Sequence, residues 1–579
     1  SILDHAGGVQ PMTSGDGRLT ITFNGEIYNF GELRESLEAR GHRFASSHSD
    51  TEVLIEGYRA WGAELPHHLN GMWAFAIHDA DRRRLFLSRD RFGKKPLYFL
   101  QRGGDFAFAS ELSALRRHPA CAQSLSATAL RKFFAYGYIP APHSIVDGVR
   151  KLPAGHNLSV DLVSGRLEVG RYWRYELEPC GRPATAAEID ALAGRFAELL
   201  GRAVERRLVA DVPVGIFLSG GVDSSTLAAL AARGGRRVET FTIGFDEPSF
   251  DESAQAQLAA DHIGANHHLR TLSIERARDL IPGVLAHLDE PLGDPSLLPT
   301  SMLSGFAREQ VTVALGGDGG DELLAGYDPF AALARARLYQ RLVPKPLHRA
   351  IAMTAARLPV SHRNMSLDFK LKRTLRGLDH PPRLWLPVWM APLAPRELAE
   401  LFAEPVDPDE VYSEAIEAWD ACPQTDPVSK TIQFYVNLYL ADDILVKTDR
   451  ASMLHSLEVR SPILDIEVAD FVRRLDPSLL LRGGRRKFLL KRVARQLIPR
   501  QLVERPKKGF GIPIGHWLSQ GSLELPALPD TPRGVGRFAA AQLREHRAAR
   551  RDNRLSLACF LALGHFSGAA AGSHPAHPG

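Results

Sequence analysis

The stretch 214–225, VGIFLSGGVDSS, constrains this chain more than any other. Val214, Gly215, Ile216, Phe217 and Leu218 form a short apolar run, as a buried parallel strand requires. Ser219, Gly220 and Gly221 then turn the chain, and 225–232 reads as helix. A glycine-rich turn between strand and helix makes an anion site. The helix N-terminus offers free N–H groups, and missing Cβ atoms let an anion reach the backbone. No Gly-Lys-Ser or Gly-Lys-Thr follows, so this is not the loop of ordinary γ-phosphate-cleaving NTPases. The plainer alternative is a strand–turn–helix junction whose glycines serve only packing.

With 579 residues the chain has room for more than one domain and for sizeable cores. Its hydrophobic and charged fractions, 44% and 24%, are those of a soluble globular protein. A net charge of +4 implies no nucleic-acid partner. The basic runs Arg82-Arg83-Arg84 and Arg485-Arg486-Lys487 read as solvated faces or substrate-facing loops. Cys121, Cys180, Cys422 and Cys559 lie far apart without a Cys-x-x-Cys pair, which argues against structural zinc and a disulfide framework. No apolar run approaches the roughly 18–20 residues that span a bilayer, so no membrane partner is expected. The N-terminus carries no signal-peptide pattern, which leaves the cytoplasm as the default compartment.

Residues 1–175 read as a β-rich domain, with short strands at 19–23, 85–88, 96–100, 105–109 and 156–160. Helices are predicted at 29–40 and 51–61, the second with Asp50 as N-cap. Asn24-Gly25 by itself reads as a hairpin turn. Residues 176–185 form a polar, Pro- and Gly-containing linker, and Thr185 with Glu188 makes a capping box that opens a helix through Arg207. A second strand is expected at 238–245 and a third buried run at 311–315. The latter leads into Gly316-Gly317-Asp318-Gly319-Gly320-Asp321-Glu322, where glycine-flanked carboxylates suit Mg²⁺–pyrophosphate or an ammonium group. His267 and His268 are adjacent and face opposite ways on a strand, so they are not expected to share a metal. Residues 328–424 read as helical without obvious chemistry, and 567–579 as a low-complexity tail.

SGGVDSS resembles the pyrophosphate loop of the ATP pyrophosphatases, which activate an oxygen by adenylation. The strings at 24–29, 49–52, 69–76 and 89–98 are similar, in order, to the glutaminase domain of glutamine-hydrolysing asparagine synthetases. Residues 288–300, 316–322, 439–465 and 505–517 resemble the synthetase domain of the same family. The resemblance covers residues 1–566 and implies a fold of class α/β and α+β. Its first part is a truncated Ntn-type αββα glutaminase domain, and 186–566 form a parallel α/β synthetase domain. It implies ATP and Mg²⁺, with Leu218, Ser219, Gly220, Gly221, Asp223, Ser224, Ile243, Gly316 and Gly317 on the nucleotide.

By the same resemblance Asp223 and Asp321 are the metal ligands, and Asp321 also meets substrate. Asp318 and Lys507 are catalytic, Lys507 stabilising pyrophosphate, with Lys508 as the alternative. Asn24 and Gly25 form an oxyanion hole, and Glu26 and Asp50 hold the glutamine α-amino group. Arg450, Glu458, Arg460 and Asp465 read as structural ion pairs. The implied reaction adenylates the aspartate β-carboxylate and lets ammonia displace AMP. Aspartate and glutamine or ammonia are the expected partners, and a homodimer is compatible with the sequence.

The sequence departs from the family at its start. Ser1-Ile2-Leu3-Asp4 matches a stretch well inside the family's pattern, past the N-terminal catalytic cysteine and an HRGPD-like segment. A fragment and a synthetase fed by free ammonia both account for this. As written, the chain is expected to use ammonia but not glutamine. Two other functions stay open: amidation of another carboxylate, such as a uronic acid of a surface polysaccharide, and a non-catalytic assembly partner.

Overall fold

The Asn-Gly pair at 24–25 does not turn the chain. Strand Leu19–Ile27 runs straight through it, with Asn24 opposite Ala74 and Gly25 opposite Trp73 on strand Gly71–Asp79. Ile21 and Ile27 are fully buried, and the long ladder they belong to outweighs a two-residue turn preference. These strands lie in a computed structural model that describes residues 4, 7–178, 185–248, 250–361, 366–505, 509 and 511–570.

The first half is built on an antiparallel sheet in the order Met12–Thr13, Leu19–Ile27, Gly71–Asp79, Arg84–Arg89, His156–Asp161, Leu167–Arg171. Side chains of strand Gly71–Asp79 alternate between two cores, as the pleat requires. Trp73, Phe75 and Ile77 pack with Leu33, Leu37, Val53 and Leu54 of helices Phe30–Glu38 and Asp50–Trp61. Ala74 and Ala76 point the other way, with Phe99 in, and Leu97 and Leu152 beside, a second sheet, Asp105–Ala109, Tyr98–Arg102 and Val149–Lys151. Small residues on that face let the two sheets approach. The N-cap of the second helix is Ser49, not Asp50; the Asp50 carboxylate instead accepts the Ile27 N–H at 3.1 Å.

The second half carries a five-stranded, all-parallel sheet in the order Asn266–Leu272, Glu239–Phe245, Val214–Phe217, Val313–Leu315, Glu458–Arg460. The strand that comes first in the chain is central. Sequence order runs outward from it to one edge, then returns to fill the other. Such a reversal leaves a crevice at the carboxyl ends of the two strands that flank it. Here those strands are Val214–Phe217 and Val313–Leu315, paired through Ile216 and Leu315. Helix Ala186–Leu208 enters this half through the Thr185–Glu188 capping box.

The two halves share one apolar core, which runs from Tyr98 and Phe133 through Ile216 to Leu561. Helix Ala127–Tyr136 of the first half packs into it through Ala129, Leu130, Phe133 and Phe134. Polar ties cross the same boundary: Lys95 Nζ lies 3.0 Å from Asp449, and Lys151 Nζ lies 2.6 Å from Glu290. Residues 435–444 form a π-helix, Tyr435–Ile444, that nothing in the sequence announces. Among the described residues, no helix is long and apolar enough to cross a membrane.

Candidate active site

Both glycine-rich loops leave the sheet at the crevice and line one cavity of about 600 Å³. Strand Val214–Phe217 ends, Gly220 adopts φ +68°, and helix Val222–Ala231 starts with Gly221 as its N-cap. A Cβ at Gly220 would stand 2.5 Å from the Gln255 carbonyl carbon, so the backbone course admits only glycine. Ser219 and Ser224 tie the loop, with their hydroxyls 3.1 Å apart and Ser224 Oγ accepting the Ser219 N–H at 3.2 Å. Asp223 occupies the first turn of the helix, where a carboxylate meets the positive end of the dipole.

Across the cavity, Gly316, Gly317, Asp318 and Asp321 form the opposite wall. The two walls meet on a lysine. Lys487 Nζ lies 2.5 Å from Asp223 Oδ2 and 2.7 Å from Asp321 Oδ1. Burial alone would lower its pKa, but the two carboxylates more than reverse this and hold the ammonium charged. Lys487 is the N-cap of helix Phe488–Ala494 and has φ +54°, a strained conformation for a residue with a side chain. Strain of this kind costs about 1–3 kcal/mol and persists only where surrounding contacts enforce it.

Leu218, Thr242 and Ile243 line the side of the cavity above strand Glu239–Phe245. Arg505 closes that side through an ion pair with Glu252 at 2.6 Å. On the far side, Asp318 is half-buried; desolvation raises its pKa, and it accepts a hydrogen bond from Thr448 at 3.3 Å. Lys447 stands 3.7 Å from Asp294. Asp223 and Asp321 offer hard oxygens on either side of the Lys487 ammonium, and such oxygens are the donor chemistry Mg²⁺ takes. Among the described residues, no group of three or more His, Cys, Asp or Glu is placed to hold a metal by protein ligands alone. A divalent ion here would therefore complete its shell with phosphate oxygens and water.

The first half carries a separate cluster. Asn24 Nδ2 donates to Ser110 Oγ at 3.2 Å, and Gly25 sits at φ +149°, where a Cβ would lie 2.0 Å from the Met72 carbonyl oxygen. Glu26 and Asp50 are both buried and gather with Glu458 and the fully buried Arg460, whose Nη2 is 3.5 Å from Glu26 Oε1. Burial raises the Glu26 pKa well above the usual range and pushes Asp50 up to about 6. His267 and His268 part as expected of strand neighbours. His267 meets Thr240, while His268 meets Glu239 at 2.6 Å.

The structure thus brings together ten of the nucleotide, metal and catalytic candidates around one cavity: Leu218, Ser219, Gly221, Asp223, Ser224, Ile243, Gly316, Gly317, Asp318 and Asp321. Gly220 shapes the loop from behind. Lys507 and Lys508 lie outside the described residues, as do 179–184 of the linker and 571–579 of the tail. Lys487, Lys447 and Arg505 were not identified by sequence reasoning. Lys487 hides in a basic run, and only Gly483-Gly484 before it hints at a hairpin that aims it inward.

A glycine-rich loop at the switch point of a five-stranded parallel sheet, joined to a two-sheet antiparallel sandwich, is the architecture of a two-domain α/β and α+β protein. The chain belongs to the asparagine synthase family. The model described as asparagine synthase matches residues 195–527, and that of the glutamine amidotransferase domain matches residues 1–173. A Mycobacterium tuberculosis (strain ATCC 25618 / H37Rv) protein named for glutamine-hydrolysing asparagine synthesis is 34% identical over 533 residues, covering 90% of this chain and 80% of its own. Asparagine synthetase 1 of Bacillus subtilis (strain 168) is 31% identical over 523 residues, covering 90% and 79%. A protein of Penicillium rubens named as an amidase is 27% identical over 584 residues, covering 89% and 80%. The chain is accordingly an ATP-dependent ligase with a glutamine amidotransferase domain.

Proposed function

We propose that the chain amidates the side-chain carboxylate of aspartate through an acyl-adenylate. The observation that carries this is the Lys487 ammonium held between Asp223 and Asp321 where the two glycine loops converge. With ATP in the cavity, the amides at the start of helix Val222–Ala231 receive the phosphates, and Ile243 and Thr242 border the base. The aspartate carboxylate attacks the α-phosphorus, and pyrophosphate leaves with the electrons of the P–O bond. Lys487 offsets the charge that grows on the bridging and pyrophosphate oxygens, an interaction stronger in the transition state than in the ground state. Asp223 and Asp321 would hold Mg²⁺, which supplies Lewis-acid neutralisation of the phosphates. Ammonia then attacks the activated carbonyl, AMP departs and asparagine forms.

In the first half, Asn24 and the Gly25 amide are the oxyanion donors for glutamine hydrolysis, and Glu26 and Asp50 hold the glutamine α-amino group. The test is acceptor-dependent exchange of labelled pyrophosphate into ATP. Aspartate supporting exchange, with uronic acids and other carboxylates inactive, is the expected result. Exchange with a uronic acid and not aspartate would replace the acceptor.

A further inference from the structure

Asp442 and Asp443 are consecutive on the π-helix Tyr435–Ile444, and both are buried. They serve different halves of the molecule. Asp442 Oδ2 accepts the N–H of Ala141, in the first half, at 3.0 Å. Asp443 is 6% exposed, and its Oδ1 has no hydrogen-bond partner among the described residues. A π-turn adds a residue to the helix and displaces side chains from helical register, a device common at functional sites.

The charged and titratable groups that face Asp443 come from every element packed around it. Asp294, Glu322 and Lys447 belong to the synthetase cavity, and Tyr439 to the π-helix itself. Tyr138 reaches it from the first half and Cys559 from helix Arg554–Ala570. Four carboxylates, Asp294, Asp318, Asp443 and Glu322, therefore act on one ammonium, that of Lys447. A buried carboxylate oxygen without a donor is costly, and the cost falls if a small cationic donor occupies the place. Burial first, then repulsion from Asp294, raises the Asp443 pKa well above the ordinary carboxylate value. When ionised, a carboxylate so tuned is a stronger proton acceptor.

We propose that Asp443 binds the incoming nitrogen as ammonium and takes its proton before attack. This rests on the carboxylate amidation proposed above. The proton moves from ammonium to Asp443 Oδ1 and leaves neutral ammonia, whose lone pair forms the new C–N bond. AMP departs with the electrons of the C–O bond, and the second N–H proton passes to water. Moving a proton between an ammonium and a carboxylate removes two charges from a low-dielectric site, so burial favours the transfer.

The test uses the full chain with Asp443→Asn, which keeps the shape and removes the base. Acceptor-dependent pyrophosphate exchange should stay within about twofold of wild type, because adenylation does not use this group. Amide formation from ammonium chloride should fall on the order of 10²–10⁴-fold, the usual loss for a general base. Hydroxylamine, uncharged at neutral pH, needs no deprotonation and should restore acyl transfer as the hydroxamate. Asp443→Glu should recover part of the ammonium activity. Independently of any acceptor, ammonium should raise the unfolding midpoint of wild type above that in equimolar tetramethylammonium, and not that of Asp443→Asn. Unchanged amidation in Asp443→Asn overturns the proposal, as does an equal loss of exchange and hydroxamate. A wild-type midpoint indifferent to ammonium overturns the site even if no carboxylate supports exchange, an outcome that by itself would sink only the functional reading.

Discussion

Arg207 and Asp465 form an ion pair at 2.6 Å with both side chains fully buried, although 258 residues separate them. Asn70 of the first half donates to the same Asp465 oxygen at 3.0 Å. One carboxylate thus joins the helix that opens the synthetase domain, the segment after its last strand, and the amidotransferase sandwich. Removing one member of such a pair leaves an uncompensated buried charge, which costs about 3–5 kcal/mol. Asp465→Ala should lower the urea unfolding midpoint accordingly. Burial works against the Asp465 charge, but Arg207 holds its pKa below the ordinary value of 3.8. The stabilisation is therefore present above that value and lost as pH falls through the lower folded pKa. An unchanged midpoint in the variant would mean that the pair is energetically idle.

Lys487→Ala should reduce the rate of acceptor-dependent exchange on the order of 10²–10³-fold, with a smaller change in the KM for ATP. Lys507→Ala is the control. If Lys507→Ala collapses kcat while Lys487→Ala does not, the charge-stabilising role belongs to Lys507, the lysine the family resemblance points to.

Gly220→Ala should impair both folding and nucleotide binding, because its φ of +68° is strained for alanine and the methyl meets the Gln255 backbone. Strain at such a position costs about 1–3 kcal/mol. Calorimetry with and without ATP measures both effects. A variant with wild-type midpoint and ATP affinity would show that the loop has room to move.

Asp50 should make stability fall as pH rises through the interval from 3.8 to about 6. Its folded pKa is raised chiefly by burial, so the folded state favours the protonated form. The stability it contributes is complete below the unfolded value and lost above the folded one. Asp50→Asn should flatten that part of the profile. Equal slopes for both proteins between pH 4 and 6 would assign the titration elsewhere, with Glu26 the neighbour to examine next.

Local chemistry made much of this legible. The apolar run at 214–218, the glycines after it and the Thr185–Glu188 capping box depend on neighbours in sequence, and each forms where the residues dictate. The glycine-flanked carboxylates at 316–322 were equally plain, since a loop that follows a buried strand has few places to go. Other features depend on partners far along the chain. Asn24-Gly25 looks like a turn until strand Gly71–Asp79 pairs with it and burial on both faces makes extension the cheaper state. Lys487 looks like one cation in a basic run until the hairpin at 481–486 turns it toward Asp223, across 264 residues of sequence. In sequence Asp443 is one of two adjacent acids in an otherwise apolar run. Only packing decides that it loses water, keeps one oxygen without a donor and meets Asp294, because burial and field are properties of the whole assembly and not of the residues beside it.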